Sequence, residues 1–271
     1  MTAILKELGT RTLIMGVLNV TPDSFSDGGL FRDPAVAVAH AHDMEQAGAD
    51  IIDVGGESTR PGHTPVGADE EQRRVVPVIR ELAQILKVPI SIDTYRALTA
   101  QAALRAGARI VNDIWGLQHD PDMPTVVAEH DAFAIVMHNR AEVDASLDIM
   151  ADMLRFFEHS LTLARQAGIP DARLILDPGT GFGKTADQNL EALRRLPELK
   201  ALGFPVLVGG SRKSVLSRFY HPQVPPRDRL FGTLGAHLAA VSRGADIVRV
   251  HDVQAHVEAC RVADILLRNV P

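Results

Sequence analysis

The chain has 271 residues, of which 46% are hydrophobic and 23% charged, a balance typical of a large folded domain and not of a disordered protein. Its formal net charge of −6 argues against the basic surface that general nucleic-acid binding requires. The longest apolar runs are too short to span a membrane, and the first ten residues do not resemble a secretion signal. From the charge and the short apolar runs we expect neither nucleic acid nor membrane as a partner. The single cysteine, Cys260, allows no internal disulfide, so we expect a cytoplasmic protein.

Eight short β-branched runs recur along the chain, and alanine-rich stretches with helical spacing lie between them. Alternating strands and helices favour a parallel sheet. Eight such units match a single α/β domain, a (β/α)8 TIM barrel over residues 1–271, whereas a doubly wound sheet more often has fewer strands and an early glycine-rich fingerprint. The predicted strands are residues 13–20, 51–56, 89–94, 110–114, 132–138, 173–179, 205–210 and 247–251.

The predicted strands end in polar residues, which is where a barrel enzyme carries its chemistry. For any one position, the simpler interpretation is that a loop begins there. That interpretation does not explain charges inside the apolar runs, because a buried charge needs a partner or a ligand. These charged residues are Asp93, Asp177 and Arg249. The other polar strand ends are Asn19, residues 55–62, Asn112, Asp113, His138, residues 211–213 and His251.

Grouped by charge, these residues describe a ligand. Asp93, Asn112 and Asp177 offer carboxylate and amide groups suited to a flat heterocycle with adjacent N–H donors. The cations suit phosphate oxygens, and the planar guanidinium of arginine also stacks on aromatic rings. They are Arg60, Lys213, Arg249 and His251. An aromatic heterocycle with a phosphate group fits both sets, and Asn19 offers an oxygen ligand for Mg²⁺, which binds few protein groups together with substrate phosphates.

Residues 177–185, DPGTGFGKT, resemble a phosphate-binding Walker loop but lack its first glycine. Counting back from Gly183, Lys184 and Thr185 places Pro178 at that position. Proline has no N–H to donate and fixes its own φ, so it is a poor start for an anion-binding turn. We therefore do not expect this loop to bind ATP.

Six segments of the chain form longer sequence blocks. They are GVLNVTPDSFSDGG (16–29), DVGGESTRPG (53–62), SIDT (91–94), NDI (112–114), DPGTGFGKT (177–185) and GGSRKS (209–214). Together they resemble the signature blocks of the dihydropteroate synthase family, in that family's order and over nearly the whole chain. The first two blocks are long and specific.

The resemblance implies a pterin-binding TIM barrel of folate biosynthesis. Such an enzyme joins 6-hydroxymethyl-7,8-dihydropterin diphosphate to p-aminobenzoate, gives 7,8-dihydropteroate and releases diphosphate. It uses Mg²⁺, is a target of sulfonamides and forms a homodimer through the late helices. Its partners are therefore small-molecule substrates and a second copy of the chain.

The resemblance also assigns roles to residues at the predicted strand ends. The pterin would be held by Asp93, Asn112, Asp177 and Lys213, with Arg249 stacked on its ring. The diphosphate would be held by Arg60, Arg249 and His251, and Asn19 would bind Mg²⁺. The aminobenzoate pocket would be framed by Thr59, Pro61, Ser211, Lys213, Phe25 and Phe182. The residues assigned to the chemistry itself are Asp93, Lys213, Arg249 and His251.

Several expectations concern loops and histidines. The resemblance implies that loops 19–29 and 56–67 close over the site. We expect the glycines of residues 177–185 to let that loop approach the ligand, and Lys184 to be solvated. His237 and His256 lack any metal-binding spacing, so we expect solvated or packed side chains.

Two alternatives remain open from the sequence. A methyltetrahydrofolate:corrinoid methyltransferase has a similar barrel and pterin site but does not need the SRKS segment or the diphosphate cations. A non-catalytic pterin-binding paralogue would have lost Asn19, Lys213 or Arg249, and this chain retains all three.

Overall fold

The computed structural model describes residues 6–21, 34–57, 66–213 and 224–268, and there the predicted strands occur in the predicted order. The strands are β1 (Leu13–Asn19), β2 (Ile51–Gly55), β3 (Ile90–Asp93), β4 (Ile110–Asp113), β5 (Phe133–Met137), β6 (Leu174–Asp177), β7 (Leu207–Val208) and β8 (Ile247–Val250). The α-helices in the described ranges are α1 (Pro34–Gln46), α2 (Ala68–Ile85), α3 (Ala97–Ala106), α4 (Met123–Glu129), α5 (Ile149–Gln166), α6 (Ala186–Arg194), α7 (Leu196–Lys200), α8 (Leu230–Val241) and α9 (Val253–Arg268).

The eight strands form one parallel sheet in the order β6-β5-β4-β3-β2-β1-β8-β7. Its two edge strands meet through a parallel bridge between Leu176 and Val206. The backbone N–H of Leu176 also donates to the carbonyl of Pro205 at 2.9 Å. These contacts close the sheet into a barrel, so the predicted (β/α)8 architecture is confirmed.

Side chains that point into the barrel alternate along each strand with side chains that face the helices. The interior apolar layer is formed by Leu13, Met15, Ile51, Ile110, Phe133, Ile135, Ile175, Leu207 and Ile247. Two residues after Ile51, Ile110, Ile175 and Ile247, the same inward direction is taken by Asp53, Asn112, Asp177 and Arg249. These four polar residues therefore line the barrel mouth and do not face the helices.

The outward-facing strand residues pack beneath the helices in a second, larger core. Ile52, Ile92 and Val111 contribute from the strands, and Val78 and Met153 contribute from the helices. The N-terminus of α5 is capped by the preceding aspartate side chain, which accepts two backbone N–H groups. This layer holds the strand ends, and hence the polar mouth, in place.

Within the ranges listed above, no helix is both long enough and apolar enough to cross a membrane.

Candidate active site

Four polar side chains, carried by β2, β3, β4 and β8, form one hydrogen-bonded cluster at the barrel mouth. Nε of Arg249 lies 2.6 Å from Oδ2 of Asp53, and its Nη2 lies 2.7 Å from Oδ2 of Asp93. The side-chain amide of Asn112 donates to the same Asp53 oxygen at 3.1 Å. Register brings these residues together, because Asp93 pairs with Asn112 across β3 and β4. Two carboxylates thus hold the guanidinium of Arg249 at the barrel mouth.

The charges of this cluster shift one another's pKa values. Burial raises the pKa of Asp93, although Arg249 opposes the rise and Asp53 adds to it. Burial acts to lower the pKa of Arg249, but Asp53 and Asp93 together hold it above its ordinary value. Arg249 is therefore a permanent cation in the mouth.

Two oxygen atoms of the cluster are buried and have no hydrogen-bond partner among the described residues. They are Oδ1 of Asp53 and Oδ1 of Asn112. The hydroxyl of Ser91, which lies opposite Asp53 in the register of β2 and β3, is also buried without a hydrogen-bond partner. Leaving a buried polar group unpaired costs about 1–3 kcal/mol, so few such groups persist without a reason. A ligand that presents N–H donors at the mouth would supply the missing partners.

Asp177 and Lys213 extend the site toward β6 and β7. The buried Asp177 accepts the backbone N–H of Gly179 at 2.7 Å through Oδ1. A side chain at Gly209 would meet both Asp177 Oδ2 and Arg249, each at 3.8 Å, so this glycine leaves the space between them open. Burial raises the pKa of Asp177, and the cation of Lys213 opposes that rise.

Lys213 belongs to the loop that follows β7 and contacts the loop that follows β6. Its Nζ donates to the carbonyl of Thr180 and lies 4.4 Å from the centroid of the Phe182 ring. Burial lowers the pKa of Lys213 to about 8, although Asp177 opposes this shift. The structure therefore brings together three of the predicted site residues, Asp177, Phe182 and Lys213.

Ser211 and His251 connect the ends of β7 and β8. Nδ1 of His251 lies 2.9 Å from the Ser211 hydroxyl oxygen, which also accepts the backbone N–H of His251 at 3.2 Å. His251 follows Arg249 by two residues, so both lie on the side of the mouth formed by β8. The two predicted cations and the predicted serine are thus neighbours.

Asn19 is the last residue of β1, beside the end of β2. A Cβ placed at Gly55 would lie 3.7 Å from Oδ1 of Asn19 and 3.6 Å from Cβ of Asp93. The amide oxygen of Asn19 therefore lies close to the cluster around Arg249. In the part of the chain that the structure describes, no group of three or more His, Cys, Asp or Glu residues forms a metal site.

The glycines of the loop after β6 contact protein. A Cβ at Gly179, whose φ is +65°, would lie 1.9 Å from the carbonyl oxygen of His138. A Cβ at Gly183, with φ +54°, would lie 2.5 Å from the carbonyl oxygen of Arg140. These two glycines let the loop pack against the end of β5. The expectation that the loop approaches the ligand stays a prediction.

Lys184 is buried, so the prediction that it is solvated is wrong. Its Nζ donates to the carbonyls of His138, Gly179 and Phe182 at 3.2, 3.0 and 3.0 Å. Burial lowers the pKa of Lys184 to about 7, and Asp177 opposes that change. The next residue, Thr185, caps α6 in a capping box with Gln188. The Walker-like segment therefore forms a lysine-centred turn followed by a helix cap.

Four predicted site residues lie outside the described residues, namely Phe25, Thr59, Arg60 and Pro61. The same holds for most of loops 19–29 and 56–67, whose predicted closure stays a prediction. The other predicted site residues lie near the C-terminal ends of the strands or in the loops that follow them, as the barrel prediction requires.

Asp53 is a site residue that the sequence reasoning did not assign. It is fully buried on β2 and contacts both Arg249 and Asn112. The signal that could have found it is a carboxylate inside the apolar run IIDVGG, which is the signal that singled out Asp93 and Asp177.

Comparison of the chain with known proteins gives consistent matches. The model of the pterin-binding enzyme family matches residues 15–251. The dihydropteroate synthase of Clostridium beijerinckii is 47% identical over 262 residues, which is 96% of each chain. The dihydropteroate synthase of Synechocystis is 49% identical and aligns with 96% of this chain and 92% of its own length.

Solved structures give the same match in three dimensions. The dihydropteroate synthase of Clostridium difficile, crystallised in the presence of pteroic acid, superposes with a TM-score of 0.93 at 51% identity and covers 97% of this chain and 99% of its own. That of Xanthomonas albilineans with 4-aminobenzoic acid has a TM-score of 0.91 at 42% identity, covering 96% and 94%. That of Yersinia pestis with a sulfonamide drug has a TM-score of 0.90 at 41% identity, covering 97% and 96%.

Proposed function

The chain belongs to the dihydropteroate synthase family of pterin-binding enzymes, and we propose that the polar cluster at its barrel mouth carries out that family's reaction. The enzyme is a transferase of folate biosynthesis. It condenses 6-hydroxymethyl-7,8-dihydropterin diphosphate with p-aminobenzoate to give 7,8-dihydropteroate and diphosphate.

The observation that carries the assignment of residues is the set of unpaired buried acceptors beside Arg249. A pterin ring presents adjacent N–H donors along one edge, and two buried acceptors at the mouth have no hydrogen-bond donor in the described ranges, namely Oδ1 of Asn112 and Oδ1 of Asp53. Asp177 adds a buried carboxylate on the other side of the open space at Gly209. Pairing these oxygens with the pterin would remove their desolvation cost, which favours a pterin over a ring without donors.

The cations of the site fit the diphosphate group. Arg249 is held charged by Asp53 and Asp93, and His251 lies two residues further along the same strand end. Lys213 faces Asp177 from the neighbouring loop. Cations already oriented by the protein stabilise the negative charge that develops on a leaving diphosphate without reorganisation during the reaction.

The chemistry follows from the charges. The C–O bond between the pterin methylene and the diphosphate breaks early, and the leaving group takes the bonding electrons. Arg249 and His251 stabilise the departing diphosphate, while the carboxylate of Asp93 steadies the positive charge on the dihydropterin methylene. The nitrogen lone pair of p-aminobenzoate then forms the C–N bond, and the amine loses one proton. Because a neutral arylamine is already nucleophilic, this path requires no dedicated general base.

Asn19 would hold Mg²⁺ through its amide oxygen, and the diphosphate of the substrate would supply further oxygen ligands. Mg²⁺ commonly binds few protein groups when a substrate phosphate supplies the remaining ligands. The nearness of Asn19 Oδ1 to the space at Gly55, next to Asp93, supports this placement. When bound, the ion would neutralise charge on the leaving diphosphate.

A homodimer through the late helices is supported by their exposed apolar side chains. Phe231 on α8 is 80% exposed, and Leu266 on α9 is 75% exposed, with Val262 and Ile265 also exposed on α9. Large exposed apolar residues on adjacent helices are typical of interaction surfaces. Sedimentation equilibrium measures this directly: twice the chain mass is expected, and a monomer at micromolar concentration would contradict the proposal.

The proposal also includes a cytoplasmic location and inhibition by sulfonamides. The single cysteine, Cys260, is a free thiol, and a chain without an internal disulfide suits a reducing compartment. Because this chain retains the STRPG segment and its relative from Yersinia pestis is known with a sulfonamide drug, we expect sulfonamides to compete with p-aminobenzoate.

The function is tested by mixing the purified protein with dihydropterin diphosphate, Mg²⁺ and labelled p-aminobenzoate, with and without a sulfonamide. Labelled dihydropteroate that disappears with the drug is the expected result. Tight pterin binding without any product would favour the non-catalytic paralogue. Undiminished turnover at saturating sulfonamide would contradict the proposed aminobenzoate pocket.

A further inference from the structure

Two fully buried histidines lie behind the ends of β7 and β8. His237 belongs to α8 and His256 to α9, and neither side chain is exposed to solvent. Nδ1 of His237 lies 3.1 Å from Nε2 of His256. The proposed reaction assigns no role to either residue, and burying two imidazoles side by side is costly unless their polar atoms are paired.

The hydrogen bonds around this pair determine where its protons lie. The backbone N–H of Gly210 donates to Nε2 of His237 at 3.0 Å, so that nitrogen carries no proton. The proton of a neutral His237 is then on Nδ1, which donates to Nε2 of His256. His256 in turn carries its proton on Nδ1 and donates to the carbonyl of Asp252 at 2.7 Å. All four ring nitrogens are paired in this one arrangement.

A second proton on either ring would break the chain of hydrogen bonds. It would direct an N–H of His237 at the N–H of Gly210, or an N–H of His256 at the N–H of His237. Burial lowers the pKa of His237 to about 3, and His256, Lys213 and His251 act in the same direction. Burial also lowers the pKa of His256, although Asp252 opposes that change through its carbonyl and its carboxylate.

The hydrogen bonds of the His237–His256 pair end at Gly210 and Asp252, which belong to the two loops that carry the substrate-binding cations. Gly210 directly precedes Ser211 and lies three residues before Lys213, while Asp252 directly follows His251. The carboxylate of Asp252 also binds the guanidinium of Arg212 at 2.5 and 3.1 Å. The loops after β7 and β8 are therefore connected in three places. The Arg212–Asp252 ion pair and the Ser211–His251 hydrogen bonds join them directly, and the two imidazoles join them through the core.

We propose that His237 and His256, as neutral Nδ1–H tautomers, are positioning residues that set the distance between the β7 loop and the β8 loop. This inference rests on the proposed function, because Lys213 and His251 receive their substrate-binding roles there. Neither histidine touches the substrate. Their effect passes through the backbone of Gly210 and Asp252 to the side chains that bind the dihydropterin diphosphate.

The kinetic test compares His237→Phe with His237→Gln. Phenylalanine fills similar space but neither accepts nor donates a hydrogen bond, whereas glutamine offers one acceptor and one donor. We expect His237→Phe to lower kcat/KM for dihydropterin diphosphate by about tenfold, mainly through KM, because small displacements of binding groups have large kinetic effects. His237→Gln should recover most of this loss. Thr12→Val, which removes a buried hydrogen bond to Asp264 at the opposite end of the barrel, should lower stability without changing KM.

The proposal is overturned if His237→Phe keeps the wild-type kinetic constants, or if the phenylalanine and glutamine variants are equally impaired. A spectroscopic test needs no turnover. The nitrogen-15 shifts of both histidines in the wild-type protein should report a neutral Nδ1–H tautomer at pH 8, and the shifts of His237 should stay unchanged down to about pH 5. An Nε2–H tautomer, or an imidazolium at pH 6, would contradict the proposal. An inactive wild-type protein with the expected tautomers would instead count against the proposed function.

Discussion

Both ends of the barrel contain a buried aspartate paired with an arginine, but the two aspartates differ in how completely their carboxylate oxygens are hydrogen-bonded. At the N-terminal end, Asp50 accepts two N–H groups of Arg11 at 2.6 and 2.9 Å and the backbone N–H of Ile14 at 2.8 Å. Both of its carboxylate oxygens are therefore paired. At the C-terminal end, Asp53 shares one oxygen between Arg249 and Asn112, and its other oxygen has no partner in the described ranges.

This difference separates an ion pair that serves folding from one that serves binding. Asp264, also at the N-terminal end, accepts both the backbone N–H and the hydroxyl of Thr12. At the mouth, unpaired acceptors persist beside a permanent cation. Buried charge alone therefore does not identify the site. A single unpaired buried acceptor does not identify the site either, because Oδ1 of Asp246, directly before β8, also has no hydrogen-bond partner in the described ranges. What distinguishes the mouth is that three unpaired groups, on Asp53, Ser91 and Asn112, lie together near Arg249, where one ligand could supply their partners.

The largest contrast is expected between Arg249→Met and Arg11→Met. Removing Arg249 leaves Asp53 and Asp93 without their cation and removes a group that stabilises the leaving diphosphate. We expect kcat/KM to fall by about a thousandfold. Arg11→Met should lower the free energy of unfolding by about 2 kcal/mol, because Asp50 loses its main partner, and leave kcat/KM unchanged in the folded protein. Equal kinetic losses in both variants would remove the distinction between the two ends.

A smaller effect is expected for Asp93→Asn. The amide keeps the shape of the side chain but removes the negative charge that steadies the cationic methylene. We expect release of diphosphate, followed with a coupled assay, to slow by about a hundredfold. Asp50→Asn is the matched control, because it removes a carboxylate from an arginine pair at the other end. Unchanged release in Asp93→Asn would count against the role of Asp93 and against an early break of the C–O bond.

The pH dependence follows from Lys213, whose pKa burial lowers to about 8. As the pH rises through 8, the free enzyme loses this cation, so kcat/KM should fall by about tenfold per pH unit above that value. The unfolded chain keeps the proton up to the ordinary pKa of 10.5, so the contribution of Lys213 to stability rises between pH 8 and 10.5.

Lys213→Arg provides the control for this profile. Arginine keeps its charge throughout the range, so the fall above pH 8 should vanish even though the absolute rate is lower. An unchanged fall in this variant would assign the titration to another group.

The smallest effect is expected for Lys184→Met. The carbonyls of His138, Gly179 and Phe182 would lose their shared donor, and we expect a loss of about 2 kcal/mol in unfolding free energy. Because the loop carries Phe182 beside Lys213, the KM for p-aminobenzoate should rise by about fivefold. Chemical denaturation and steady-state kinetics measure the two effects. If neither quantity changes, Lys184 does not hold this loop.

The fold could be predicted from the sequence because its signals are local and repeated. Each strand is a short β-branched run followed by a helical pattern, and the period of two residues also explains the charges inside those runs. Once Ile247 points into the barrel, Arg249 must do so too. The residues that line the mouth follow from the same alternation, which is why Asp93, Asn112 and Asp177 could be identified.

Features that depend on three-dimensional partners could not be predicted in this way. The sequence predicts that Lys184 is a solvated lysine in a glycine-rich loop. The carbonyl of His138, which accepts from it, is 46 residues away in the sequence and lies close only in the folded chain. His237 and His256 lie on different helices, so their shared proton arrangement has no sequence pattern. Asp53 could have been predicted, because it is a carboxylate inside an apolar run, as Asp93 is.

A crystal structure of the protein with pteroic acid tests most directly whether the unpaired acceptors of the barrel mouth belong to the pterin. We expect N–H donors of the pterin ring within about 3.2 Å of the two unpaired oxygens, Oδ1 of Asn112 and Oδ1 of Asp53, and of the Asp177 carboxylate. A pterin bound elsewhere, or one that leaves the Asn112 oxygen unpaired or paired only with water, would contradict this assignment of the site.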